Sequence, residues 1–279
     1  VVSSLHDFFK IYDILPIIHP EWWTENICEI HTKWLETVLN ISDSVISISK
    51  AVSYEVKDWV NKKDIKKNIP LEYKYFHLGA DVKNSMPSKG LLNDTNVVLD
   101  KLKSKISFLS VGTIEPRKGH KQTILAFEKL WSKNIDVNLV IVGKLGWLMD
   151  DFASKVRNHP ERNKRLFWLE GISDEYLEKV YETSTCLIAA SEGEGFGLPL
   201  IEAAQHKKPI IARDIPVFKE VAKEFAYYFE NTNEANVLCK AIKEWLELYK
   251  DDKHPKSQNM PWLTWQESTK ILLDKILIP

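Results

Sequence analysis

Three cysteines in 279 residues, at positions 28, 186 and 239, form no C-x-x-C pair, and two of them fall in apolar patterns. That excludes a disulfide-scaffolded secreted module and leaves reduced, structural thiols of the kind a cytosolic protein carries. No apolar run approaches the roughly 18 to 20 residues that a membrane-crossing helix needs, and no basic-then-apolar stretch opens the chain, so a soluble protein is expected. Net charge is only -1, which supplies no broad field for nucleic acid or an acidic substrate. The histidines show no ligand spacing such as H-x-x-x-H, and no internal repeat or low-complexity segment occurs. An initial Met is also missing, and Val1 to His6 reads as the end of a strand, so the expectation is a chain that starts partway through a longer one.

What is present is ample for a core: 44% of residues are hydrophobic and ten are tryptophan. The length fits one large domain or two medium ones. Cys186 to Ala190 is a short apolar run that reads as a buried parallel strand, and it breaks into the turn Ser191 to Gly197. Pro199 then stands where the first turn of a helix tolerates it, with Leu200, Ile201, Ala203 and Ala204 continuing the pattern. The first amides of a helix lack internal partners and its dipole adds partial positive charge, so this strand-turn-helix junction is prepared for phosphate. Gly193, Gly195 and Gly197 allow positive φ and let a ligand approach the backbone. Glu194 in the turn and Glu202 in the helix, with seven residues between them, are acceptors to which adjacent polyol hydroxyls can both donate. On these residues alone, a generic parallel-sheet turn with two solvated glutamates is the alternative.

From Ile106 onward strands and helices alternate. Near-continuous apolar strands at 106–111, 137–142, 165–170, 186–190, 209–212 and 226–229 are separated by helices at 120–133, 148–158, 173–184, 199–207 and 216–223, with another at 234–250. The pattern predicts a parallel sheet covered on both faces, a complete Rossmann-like domain over 105–260. Residues 1–81 hold a helix at 22–40, a strand at 45–48, a helix opening at a Ser49 cap and a strand at 73–78. These cannot close a doubly wound sheet, so this segment is expected to be the second half of another Rossmann-like domain. Residues 82–104, with Pro87, Gly90, Asn93, Asp94 and Asn96, have the turn-rich composition of a linker. The tail, 261–279, reads as a helix with Leu263, Ile271, Leu272, Ile276 and Leu277 on its apolar side.

Gly112 follows the strand at 106–111, and Arg117 and Lys118 precede the next helix, pointing charge at a crevice lined by strand carboxyl ends. A solvated basic turn is the alternative. Gly171 and Ile172 open on the same rim, with Ser173 as a helix cap. Trp22, Trp23 and a helix bearing Lys57, Trp59, Lys62, Lys63, Lys66 and Lys67 mix aromatic and basic groups, as a surface touching anionic lipid does, although a solvated basic face explains the lysines equally simply.

Glu194-Gly-Phe-Gly-Leu-Pro-Leu-Ile-Glu202 resembles the E-x7-E motif of the retaining nucleotide-sugar glycosyltransferases of family 4, which have the two-domain GT-B fold. The segment from Val111 to Gly119 is similar to that family's V-G-x-x-x-x-R-K-G loop, except that Thr113 stands where many members have Arg. The H-D...P...H-P-E pattern through His6, Asp7, Pro16 and His19 to Glu21, the S-x-S at Ser47 and Ser49, and Leu78-Gly79-Ala80-Asp81 match as well. The resemblance implies an α/β, GT-B architecture in which the tail helix crosses back to the first domain. It implies that Glu194 contacts the transferred sugar, that Glu202 holds the nucleotide ribose, and that the amides of Gly195, Phe196, Gly197 and Leu198 hold the pyrophosphate with Arg117 and Lys118. Gly112 lines that loop, Gly171 and Ile172 pack beside the nucleobase, and His6 touches the sugar from the other domain, with Asp7 either orienting it or facing solvent.

The activity so implied is that of a retaining hexosyltransferase. It moves a sugar, with mannose on GDP as the candidate, from a nucleoside diphosphate sugar to a hydroxyl of a saccharide or lipid-linked saccharide, in cell-surface polysaccharide or lipopolysaccharide assembly. The expected location is cytoplasmic, with peripheral contact at the inner face of the membrane left open, and no nucleic acid partner is expected. No D-x-D triplet occurs, the motif with which metal-dependent sugar transferases hold a divalent ion, so no cofactor and no essential metal are expected. A GT-B sugar-nucleotide epimerase and a non-catalytic nucleotide-sugar binding module are the other readings.

Overall fold

A computed structural model of the chain describes residues 7–63, 70–81 and 87–277. The chain divides into two compact units, one formed by 1–81, 194–197 and 262–279, the other by 82–193 and 198–261.

The first unit is built on three parallel strands in the order β1-β2-β3, β1 (Phe8–Ile11), β2 (Ser44–Ser47) and β3 (Glu72–Tyr75). A short helix α1 (Leu15–Ile18) and the longer α2 (Glu25–Ile41) connect the first two strands, and α3 (Lys50–Lys62) connects the second pair. Leu35, Val38 and Leu39 of α2 and Val52, Val56 and Trp59 of α3 recur at three- and four-residue spacing and bury one stripe each against Ile11, Ile14 and Val45. Ser49 accepts from the Val52 amide at 3.1 Å, so the cap expected for α3 is made. The sequence places a strand end at residues 1–6, which lie outside the described residues. The strand observed at Phe8–Ile11 was not expected, because Lys10 interrupts it and only Ile11 is buried.

Helix α11 (Trp265–Leu277) belongs to this unit. It is held more by polar bonds than by the apolar side expected for it: Ser268 is its one buried residue among those described, and Leu277 is 73% exposed. Ala80 donates to the Leu263 carbonyl at 2.9 Å, the Trp265 amide donates to Asp81 Oδ1 at 2.5 Å, and Ser268 Oγ donates to the His77 carbonyl at 2.6 Å. Trp22 and Trp59, two of the three indoles suggested for a membrane surface, are buried inside the unit, Trp23 is half-buried, and Lys57, Lys62 and Lys63 are exposed. Lys66 and Lys67 lie outside the described residues. No helix among the described residues is long and apolar enough to cross a membrane.

The second unit carries six parallel strands, β4 (Ser107–Val111), β5 (Asn138–Val142), β6 (Leu166–Leu169), β7 (Cys186–Ala189), β8 (Ile210–Arg213) and β9 (Tyr227–Phe229), in the order β6-β5-β4-β7-β8-β9. The strands are almost wholly buried, as a sheet covered on both faces requires. Helices α5 (His120–Ser132), α6 (Asp150–Arg157), α7 (Asp174–Thr183), α8 (Leu198–Gln205) and α9 (Pro216–Ala222) form the crossovers, and α10 (Ala235–Lys250) follows the last strand. Phe108 of β4 packs edge-on against Phe127 of α5 and Trp245 of α10, both at 5.5 Å. One departure concerns 82–104: Thr95–Lys103 is a helix, α4, which buries Thr95, Leu99 and Leu102, so the turn residues Asn93 and Asp94 lead into a helix.

A Cβ at Gly79 would collide with the backbone of Trp265. Gly79→Ala is therefore expected to displace α11 and cost about 1 to 3 kcal/mol, the range for overpacking. Hydrogen exchange that shows α11 as protected as in the wild type would contradict that docking.

Candidate functional site

Strand order reverses between β4 and β7, which pair directly, Phe108 with Cys186 and Leu109 with Leu187. Two neighbouring loops therefore leave the carboxyl edge of the sheet side by side, one after Val111 and one after Ala189, at the position where doubly wound sheets take ligands.

The two loops are tied together by side chains and backbone. Arg117 Nη1 donates to the Gly193 carbonyl at 2.8 Å, its Nη2 meets Glu115 Oε1 at 2.7 Å, and its own carbonyl accepts from the Glu192 amide at 2.7 Å. Gly119 has φ of 69°, and any Cβ there would strike the carbonyl of Ala190, so only glycine lets α5 start this close to β7. From the other side, buried Arg213 at the end of β8 donates to the carbonyls of Ala190 at 3.0 Å and Thr232 at 2.6 Å, and to Gln122 Oε1 at 2.5 Å. Arg213 and Gln122 were missed in the sequence, where a polar residue near a strand end or helix start carries no sign of burial.

Lys118 lies along the end of β4: a Cβ at Gly112 would be 3.4 Å from its Cδ and Cε. Beside it, burial holds the His120 imidazole down to about 4, partly offset by its bond to the Thr113 carbonyl at 3.3 Å. That ring is neutral near pH 7, so it adds no charge to the loop.

Glu202 stands in the second turn of α8. Tyr181 of α7 donates its hydroxyl to Glu202 Oε2 at 2.7 Å, and Oε1 receives no hydrogen bond from the described residues. Burial raises the Glu202 carboxyl above its ordinary value, and the Tyr181 bond works against that rise. Of the three turn glycines only Gly197, immediately before α8, adopts positive φ, at 94°. Residues Glu194–Gly197 group with the first unit, where the Phe196 ring lies 5.4 Å from His77 and a Cβ at Gly195 would approach the Tyr12 carbonyl to 2.5 Å.

Gly171, with φ of 67°, and Ile172 follow β6 on the same sheet edge as Gly112. Ser173 accepts from the Tyr176 amide at 3.1 Å and is the cap expected for α7. His6 lies outside the described residues. The amide and carbonyl of Asp7 bond Asp43 and Ser44 before β1 and β2 begin, so Asp7 sits at the amino end of the sheet and not at its carboxyl end. The residues that follow β1 are Tyr12 and Asp13. Facing that end from α3 is Glu55, whose buried Oε2 has no hydrogen-bond partner; burial and the charge of Asp13 push it up to about 7. Glu55 was not singled out in the sequence, where it sits in an ordinary amphipathic pattern.

A groove of ≈580 Å³ in the second unit lies elsewhere, between Ile124 and Leu125 of α5 and Phe152 and Val156 of α6. None of the residues expected at the site lines it, so its size carries less weight than the chemistry at the strand ends. Among the described residues no three His, Cys, Asp or Glu side chains are grouped to hold a metal ion.

This strand order with loops converging on the switch point defines a doubly wound α/β domain of the Rossmann type. The glycosyl transferases group 1 family model matches residues 95–260, and the chain belongs to that family. It is 48% identical over 272 residues to the serotype-specific mannosyltransferase WbdA of Escherichia coli, covering 97% of this chain and 33% of WbdA. The chain thus spans about a third of the length of that relative. It is 25% identical over 224 residues to the O-antigen chain mannosyltransferase RfbU of Salmonella typhimurium, covering 80% of this chain and 56% of RfbU. Among solved structures, it is similar to Anabaena Alr3699/HepE in complex with UDP and glucose, with TM-score 0.71, 15% identity and coverage of 98% and 71% of the two chains. Sucrose-phosphate synthase from Thermosynechococcus elongatus is similar at TM-score 0.71 and 18% identity, with coverage of 97% and 67%. These likenesses bear out the α/β, GT-B fold class.

Arg117→Ala removes an ion-pair partner of Glu115, whose side chain is 4% exposed, and is expected to lower the stability of the second unit by a few kcal/mol, up to about 3 to 5. Chemical denaturation would reveal an Arg117 that serves only a ligand, because stability would then be unchanged.

Proposed function

We propose that the chain carries the donor-binding machinery of a retaining hexosyltransferase, which moves mannose from a nucleoside diphosphate sugar to a hydroxyl of a growing O-antigen-type polysaccharide. Family membership and the activities that WbdA and RfbU are named for support the reading. The observation that carries it is that β4, which leads to Gly112 with Lys118 lying over it, pairs directly with β7, which leads to the amino end of α8 and Glu202.

Breaking the anomeric bond leaves positive charge on the sugar ring and negative charge on the departing diphosphate. In this reading Lys118 and the first amides of α8 receive the latter, and such preorganised charge is the larger part of the barrier lowering. Arg117, already committed to Glu115 and Gly193, acts by holding the two loops in register. Glu202 Oε1 accepts the ribose hydroxyls, Gly171 and Ile172 flank the base, and Glu194 with Gly195, Phe196 and Gly197 serves the sugar and diphosphate, as the motif implies. The departing phosphate takes the acceptor proton, so no separate base is assigned, and no metal is needed. The acceptor is a saccharide or lipid-linked saccharide, met on the cytoplasmic side.

Glu202→Ala is expected to weaken nucleotide binding by about 1.5 to 3 kcal/mol, the scale of a charge-assisted hydrogen bond. Calorimetry with unchanged affinity would remove Glu202 from the ribose. Glu194→Ala is expected to reduce transfer more than nucleotide binding. Mass spectrometry of GDP-mannose with and without an oligomannoside acceptor, in EDTA, is expected to show an acceptor-dependent product; product without acceptor means an epimerase, and binding without turnover means a binding module.

A further inference from the structure

The Tyr181 side chain is buried on α7 and touches Glu202 of α8 and His206, the residue just past that helix. Its hydroxyl donates to Glu202 Oε2 at 2.7 Å, and its ring stacks on His206 with centroids 5.1 Å apart and planes 1° from parallel. A ring clamped at one end leaves its hydroxyl little freedom, so the carboxylate it holds is fixed as well. We infer that Tyr181 is a positioning residue for nucleotide recognition, which locks one oxygen of Glu202 so that the other faces a ribose.

The inference rests on the ribose role proposed for Glu202. Two features of the contact make it more than packing. Burial and the adjacent Glu202 charge push the Tyr181 hydroxyl well above its ordinary value, so it remains a donor across the working pH range. Burial and, to a smaller extent, the charge of Asp174 raise the Glu202 carboxyl, and the Tyr181 bond is the interaction opposing that rise. Without it, Glu202 would take up its proton at a higher pH and lose its capacity to accept from two hydroxyls together.

The test compares GDP and UDP with their 2′,3′-dideoxy counterparts by calorimetry between pH 5.5 and 8.5, on the wild type, Tyr181→Phe and Glu202→Ala. In the wild type the ribonucleotide binds more tightly than its dideoxy form. Tyr181→Phe is expected to shrink that ratio about tenfold, the scale of one hydrogen bond to a charged group, while leaving dideoxy affinity unchanged. Its ribonucleotide affinity is also expected to begin falling at a higher pH than in the wild type. Placing 4-aminophenylalanine at position 181 restores a donor and is expected to restore the ratio.

Equal weakening of both nucleotide forms in Tyr181→Phe, with an unmoved pH profile, overturns the inference and reduces Tyr181 to a packing residue. If Glu202→Ala abolishes the ratio and Tyr181→Phe retains it, the positioning role alone fails. If Glu202→Ala retains the ratio, or neither ribonucleotide binds, the ribose reading fails and the inference falls with it.

Discussion

One guanidinium sets the geometry on which the proposed site depends. Arg117 grips a carboxylate of its own loop, Glu115, and a carbonyl of the next, Gly193, with both partners withdrawn from water. Irregular backbone at a sheet edge must still satisfy its polar groups, and here the two loops satisfy each other. Gly119 allows the close approach, and Arg213 fastens Ala190 from the opposite side. Lys118 and the start of α8 inherit fixed positions from this lattice and need no order of their own.

Burial has contrasting effects on the acid-base groups nearby. It strips His120 of its proton, which leaves Lys118 as the cation beside Gly112. It raises Glu202, where the Tyr181 hydroxyl opposes the rise. In the first unit Glu55 has no such donor on its buried oxygen, and with Asp13 nearby it holds a proton into the neutral range. The hydrogen-bond donor, more than the depth of burial, distinguishes the two glutamates.

The second unit was legible because strands covered on both faces leave apolar runs such as Leu139 to Val142, and the crossover helices show their own period. Strand β1 was not, since Phe-Phe-Lys-Ile with one buried position gives neither a run nor an alternation. Spacing alone could not reveal that Arg117 also pairs with Glu115, two residues earlier. Tyr181 and Arg213 act through partners distant in sequence, Glu202 in one case and Ala190, Gln122 and Thr232 in the other.

The central claim is that the two laced loops hold one diphosphate. The most direct measurement is a crystal structure of the chain with GDP bound. The account predicts the diphosphate between Lys118 and the amino end of α8, with ribose hydroxyls on Glu202 Oε1. A nucleotide seated in the groove between α5 and α6, with Lys118 and Glu202 untouched, would contradict it.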